Sequence, residues 1–287
     1  MAAVAPTSIS SLPSTPRAAL SASSELSNIE AFIASATPVF VARESLDGSS
    51  GYALSDLFAA FEEPSAFGIE VPLRLSPSQI VSQYYVPFLS GMQLYERESA
   101  VEGEENVPRR RERLAFEYFE TSSPYSRPSF AETVEMIFEE RPDLARVRSD
   151  ALAPSSWVSV SWYPIYRIPQ GTMLHDVQGS FLTFHALYDG ALRDGDVACP
   201  LPPAMSDAQE RLIEQKMEKA AASASASASE ARALKPFGLS VYKMQGDVWA
   251  ANERVTTMME TLMDQAFGWL RFRKIIHADY EFFAHFG

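Results

Sequence analysis

Apolar residues recur along this chain with two periods. Between Ser27 and Pro38, Ile29, Phe32 and Ile33 fall on one side of a 3.6-residue repeat behind the cap candidates Ser27 and Asn28. That spacing predicts a short helix stopped before the proline. Leu57, Phe58 and Phe61 repeat the pattern from Ser55 up to Pro64. Phe130, Val134, Ile137 and Phe138 predict a helix over Ser129 to Glu140, ended by Pro142. Val255, Met259, Leu262, Ala266 and Leu270 predict a long one over Asn252 to Lys274. Met258, Met259 and Met263 read as gap-filling core rather than as an adaptable binding face. A last helical turn is expected around Tyr280, Phe282 and Phe283.

The other apolar segments are strand-like, rich in aromatic and β-branched residues: Ile80 to Phe88, Leu114 to Phe119, Trp157 to Ile168, Phe181 to Tyr188 and Phe237 to Lys243. In the third, Val158, Val160 and Trp162 point one way and Trp157, Ser159, Ser161 and Tyr163 the other, so both faces of the sheet are expected to be covered in part. Pro87 and Pro164 cannot donate to a ladder and mark strand ends, edges or bulges. The pattern as a whole predicts an α+β fold: an antiparallel β-sheet of about five or more strands packed by a long C-terminal helix and shorter helices. Several connections lack a crossover-helix pattern, which favours antiparallel pairing.

Outside these elements the character changes. Residues 1–26 form a leader that up to Ser24 has no acid and one base, Arg17, among Ala, Ser, Thr and Pro; it is expected to be disordered, with a transit peptide as the alternative. Residues 27–287 are expected to form a single domain with surface insertions near 96–112 and 194–235. The first is charged, pairing Glu102, Glu104 and Glu105 with Arg109, Arg110, Arg111 and Arg113. The second holds a polar helical piece, Asp207 to Lys219, and an Ala-Ser run from Ala222 to Ser229.

The formal charge of −13 opposes nucleic acid and anionic membranes, whose proteins bind largely through Lys and Arg. The hydrophobic fraction of 46% is ample for a core. A lone cysteine, Cys199, permits no intramolecular disulfide and no multi-thiolate site, and no apolar run reaches membrane-span length. A soluble intracellular protein is therefore expected, in cytoplasm or nucleus, or in the chloroplast if the leader is a transit peptide.

The words SNIEAFIASATP from Ser27, LSDLFAAFEEPSAFGIEVPL from Leu54, QYYVPFLSGMQLY from Gln83, LAFEYFETSSPYSRP from Leu114, PSSWVSVSWYPIYRIP from Pro154, FLTFHALYDG from Phe181 and PFGLSVYKMQGDVW from Pro236 resemble, in this order, the plant family of domain of unknown function 789. The resemblance implies one continuous domain from Ser27 to Phe286 and places both insertions where family members differ in length. It brings no activity, cofactor or catalytic residue to carry over. Phe58 stands where the family usually has Trp, and the first insertion is short where others carry a long acidic, Ser-rich one.

Most common catalytic and ligand-binding motifs are missing from the sequence. His175, His185, His277 and His285 show no HExxH or CxxC partner, and His277 and His285 are expected as surface or helix-capping residues. Phosphate-cradling glycine loops, calcium loops and a GxSxG elbow are absent, and Cys199 has no neighbouring base. No metal and no cofactor is expected. The sharpest polar positions interrupt aromatic strands: Arg167, His185 and Lys243, with Tyr125 and Arg127 in SPYSRP. Convergence of these would make a cationic, aromatic-walled pocket for a carboxylate or phosphate. The competing reading is that Arg167 pairs with a carboxylate or carbonyl and that His185 is hydrogen-bonded and partly buried; it is the one expected. The functional expectation is a non-enzymatic intracellular binding or adaptor protein of plant type with protein partners. A small-molecule enzyme or carrier using the cationic aromatic pocket is the alternative.

Overall fold

The computed structural model describes residues 26–43, 51–97, 112–165, 179–192, 196, 199–224, 230–244, 246–250 and 252–286. Helix α1 (Asn28–Ala36) opens on a capping box. The Glu30 carboxylate accepts the Ser27 N–H at 3.0 Å and the Ser27 hydroxyl accepts the Glu30 N–H at 3.4 Å, engaging donors that a helix start leaves free. The helix is interior, and Phe32 stacks on Phe181 with ring centroids 3.9 Å apart. After β1 (Val39–Ala42), α2 (Leu54–Ala59) ends short of Pro64 as expected. The proline nonetheless lies inside a further short helix, α3 (Glu62–Phe67), in the first turn where an N–H has no intrahelical acceptor.

The sheet is antiparallel throughout. β2 (Ile69–Ser76) turns into β3 (Gln79–Arg97), and β4 (Glu112–Phe119) folds back on the end of β3. After α4 (Phe130–Glu140) come β5 (Trp157–Pro164) and β6 (Ser180–Ala186). Beyond α5 (Asp207–Ser223) and β7 (Glu230–Ala233), β8 (Gly238–Tyr242) completes the order β2-β3-β5-β6-β8, with β4 beside β3. The chain thus adopts the α+β class expected from its sequence. β2 pairs with β3 at Gln79 to Tyr85 and β4 at Gly91 to Arg97, so both lie along one side of β3, end to end. β5 takes the other side at Tyr85 to Gln93. Pro87 falls in the interval between β2 and β4, where a missing N–H is tolerated as on an edge strand.

Two packed cores follow from the alternation in β5. Val158, Val160 and Trp162 join α1, α2 and α4 on one face; Trp157 joins Leu182, Phe184 and Phe237 on the other. The chain ends with α6 (Gly246–Trp249), α7 (Glu253–Arg273) and α8 (Ala278–Phe286). α7 serves both cores. Val255, Met258 and Leu262 belong to the first, Ala266, Trp269 and Leu270 to the second. It crosses the edge strand β8 where Gly238 lies against Ala266, so close that a Cβ on Gly238 would stand 2.9 Å from the Ala266 Cβ. An otherwise open sheet edge is covered in this way.

Within the stretch 194–235, expected as a surface insertion, the described residues include packed elements. β7 pairs with β1 in a separate two-stranded ladder, and α5 buries Gln209 and Ile213. Lys216 on α5 donates to the carbonyls of Ala34, Ser35 and Thr37 at 3.1, 2.9 and 2.6 Å, at the end of α1 where carbonyls lack helical partners. In the first insertion, β3 and β4 extend the hairpin to the pair Arg97 and Glu112, and residues 98–111 lie outside the described chain.

Candidate functional site

Behind Trp157 the sheet carries a buried polar layer. Ser159 and Ser161 point to the same face of β5, Ser90 comes from β3, and His277 and Asp279 come from the start of α8. Asp279 accepts two hydrogen bonds from the guanidinium of Arg127, at 2.7 and 2.5 Å, and one from the Ser90 hydroxyl. Arg127 also donates to the Ser122 carbonyl at 2.9 and 3.0 Å. Burial works against the Arg127 charge, but the Asp279 carboxylate outweighs it and holds the guanidinium above its usual range. His277 fits because residue 91 is glycine: a Cβ there would stand 3.1 Å from the His277 Nε2 and 3.0 Å from the Phe119 ring.

Ser159, His277 and Asp279 are the residue types of a nucleophilic triad, and their wiring is wrong for one. The Tyr280 N–H donates to His277 Nδ1 at 3.2 Å, so the ring proton sits on Nε2 and is donated to Ser159 Oγ at 2.9 Å. The serine hydroxyl in turn donates to the Gly91 carbonyl at 3.2 Å. A general base must accept that serine proton, and an orienting aspartate must accept from Nδ1–H; here the histidine gives to the serine and the aspartate is held by Arg127. Burial holds His277 down at about pH 4 and therefore neutral at pH 7. Ser159, His277, Asp279 and Arg127 thus engage one another in a way that does not activate the serine as a nucleophile, while the buried Tyr163 hydroxyl beside them has no hydrogen-bond partner among the described residues.

The residues singled out in the sequence go to separate places. Arg167 lies outside the described residues. His185 is buried on the face of β6 opposite to His277. Its Nδ1–H donates to the Leu234 carbonyl and its Nε2 accepts from the Thr183 hydroxyl, both at 2.9 Å, while Trp162 Nε1 donates to the same Thr183 oxygen. Burial brings His185 to about pH 4. Lys243 is exposed at the end of β8 in the left-handed region, its ammonium 5.1 Å from the Tyr242 ring centroid. Tyr125 is fully exposed. Arg127 is the Asp279 partner on the other face, so the described members of the set do not line one cavity.

His277 departs from its expected surface position. It does cap α8 through Nδ1, but it is buried against Phe119, Trp157 and Phe184, with ring centroids 5.6, 6.0 and 5.6 Å away. It stands between two helices, outside any periodic segment, and only long-range packing encloses it. His285's side chain lies outside the described residues. Burial pushes the Cys199 thiol up, away from the reactive thiolate.

Two surface features remain. A groove of about 760 Å³ runs between the start of α5 and the first turns of α7, lined by Met205, Ser206, Arg211, Arg254, Thr257 and Met258 among others. Arg254 is engaged there with the buried Glu30 carboxylate at 2.5 Å. Burial alone would raise the Glu30 carboxyl, but Arg254 and Ser27 hold it below its usual range. The second feature is the solvent face at the end of α7, where Phe267, Phe272 and Ile276 are 49%, 61% and 79% exposed. Gly268 lies on the same face, and a Cβ added to it would meet nothing within 4 Å. A mid-helix glycine costs about 1 kcal/mol relative to alanine, and the fold makes no use of its smallness. The sequence does carry a signal for this face: Gln265 to Ala278 contains no acid in a chain of net charge −13.

Among the described residues no group of three or more His, Cys, Asp or Glu could hold a metal ion, and no helix is long and apolar enough to cross a membrane. No curated protein and no solved structure matches the chain. A family model does match, over residues 27–110 and 100–283, which take in every sheet strand and α7. The chain belongs to the family described as protein of unknown function DUF789.

Proposed function

We propose that this chain is a non-enzymatic intracellular binding or adaptor protein whose docking surface is the solvent face at the end of α7. The observation that carries the reading is the exposure of Phe267, Phe272 and Ile276 together on a segment without acids. Large apolar side chains grouped at the surface mark interaction sites more often than singly scattered ones do, and aromatic residues with arginine dominate the buried centres of protein interfaces. The engagement of Ser159, His277, Asp279 and Arg127 with one another adds support, because it leaves none of them free to act on a substrate.

The test is site-specific photo-crosslinking in cells, with the reactive side chain at position 272 and, as control, at the half-buried Thr256 two turns or more away on the same helix. A discrete adduct from 272 that is absent from 256 and lost on Phe267→Ser is the expected result. No adduct from 272 above that from 256 would sink the docking reading.

A further inference from the structure

We infer that the partner presents an acidic segment bearing apolar side chains, laid along α7 over Gly268. This rests on the docking reading above and adds the chemistry of the partner. At about 100° per residue, Phe267 and Phe272 stand about 140° apart and flank Gly268 and Arg271 between them. The face is thus a notch between two aromatic side chains, floored by a residue with open space above it. A notch of this kind admits a close-lying backbone, which a side chain at 268 would hold off. Arg271 lies over the Phe267 ring at 5.9 Å and, with Lys274, gives the notch an exposed basic rim. The helix macrodipole accounts for cations in a last turn. It does not account for the aromatic residues exposed beside them.

Charge selects the occupant. Arg271 and Lys274 are followed by no acid before Asp279, while the chain as a whole carries −13; Arg273 is turned inward to Ser155 and Glu112 and adds nothing to the rim. An acidic segment over Gly268 is attracted to Arg271 and Lys274, and the exposed Asp264, one turn before Gly268 on the same face, limits how far that segment runs towards the start of α7. The chain's own Met1 to Ser24 has no acid and one base and is not complementary to it. A lipid surface is broader than the rim and would meet the exposed Glu260, Asp264 and Glu281 as well, so that repulsion offsets attraction within a Debye length. A second copy brings a like net charge.

The experiment uses the full chain as bait for a random peptide library displayed on phage, counter-selected against Gly268→Leu and against Arg271→Glu/Lys274→Glu. All three positions are exposed, and thermal melts within about 2 °C of wild type would verify that the variants fold. The expected result is enrichment of peptides that combine Asp or Glu with apolar residues. Their binding should weaken at least about tenfold with Gly268→Leu and with the charge reversal, and should fall with added salt. Enriched peptides of neutral or basic character would overturn the inference, as would equal recovery on both variants. So would sedimentation of the chain with phosphatidylserine vesicles, or self-association that the same variants abolish. If crosslinking from position 272 succeeds while the peptides lack acids, the docking reading stands and the acidic partner falls. If crosslinking fails, both fall.

Discussion

Arg127 and Asp279, 152 positions apart in the chain, are joined by two hydrogen bonds in the interior, their side chains 3% and 5% exposed. The pair ties the segment before α4 to the first turn of α8 across the sheet. A buried ion broken from its partner is far more costly than the pair is beneficial. Arg127→Met should therefore destabilise by about 3–5 kcal/mol, read as a lower urea midpoint at unchanged slope. Arg127→Met with Asp279→Leu should recover much of that loss. A double variant no better than the single one would show that the two residues act separately.

The two buried histidines set the acid behaviour. His185 and His277 are held at about pH 4 by burial, against an ordinary value of 6.5. Between those values the unfolded chain binds protons that the folded chain does not, so stability is fully present above pH 6.5 and falls as the pH drops towards 4. Each histidine contributes a slope of up to about 1.4 kcal/mol per pH unit. Urea midpoints measured from pH 7 to pH 5 should fall less steeply for His277→Gln than for wild type. Parallel slopes would contradict the burial of an uncharged imidazole.

Lys216 holds the end of α1 with three hydrogen bonds to backbone carbonyls, and burial brings its ammonium down to about pH 8, still charged at pH 7. Lys216→Met leaves those carbonyls unpaired and should cost about 1–3 kcal/mol. Amide exchange would locate the loss: protection should fall first at Ser35 to Thr37 rather than along β3.

Gly238 sets the distance between β8 and α7. A Cβ there would stand 2.9 Å from the Ala266 Cβ and 3.1 Å from its Cα, closer than backbone can accommodate without moving the helix. Gly238→Val should destabilise by about 1–3 kcal/mol. Gly238→Ala should lose less when Ala266→Gly is also present, a coupling that a double-mutant cycle in urea would measure.

The elements most legible in the sequence were those with local devices. α1 is marked by its cap candidate Ser27 and its apolar stripe, α4 and α7 by their stripes, and β5 by strict alternation that sends Trp157 and Trp162 to opposite cores. β2 has no clear strand pattern in the sequence, with Pro72, Glu70 and Arg74 inside it; it lies on a sheet edge, where proline is tolerated. β7, with the sequence EARA, has no strand character of its own and takes its conformation from pairing with β1. The polar layer was hidden for a similar reason. Arg127, Ser159 and the neighbours His277 and Asp279 come from three distant parts of the chain, and no spacing connects the three.

The end-to-end placement of β2 and β4 on β3 also bears on the order in which the protein assembles. Each can form a hairpin with β3 by a local return of the chain, on the microsecond scale typical of such units. β5 arrives from beyond α4 and must close a longer loop first. It pairs with Tyr85 to Gln93, a stretch that overlaps the last β2 pair and the first β4 pairs. β5 therefore acts as a splint across the junction of the two hairpins, and its docking is the step that turns two independently fraying units into one that opens cooperatively.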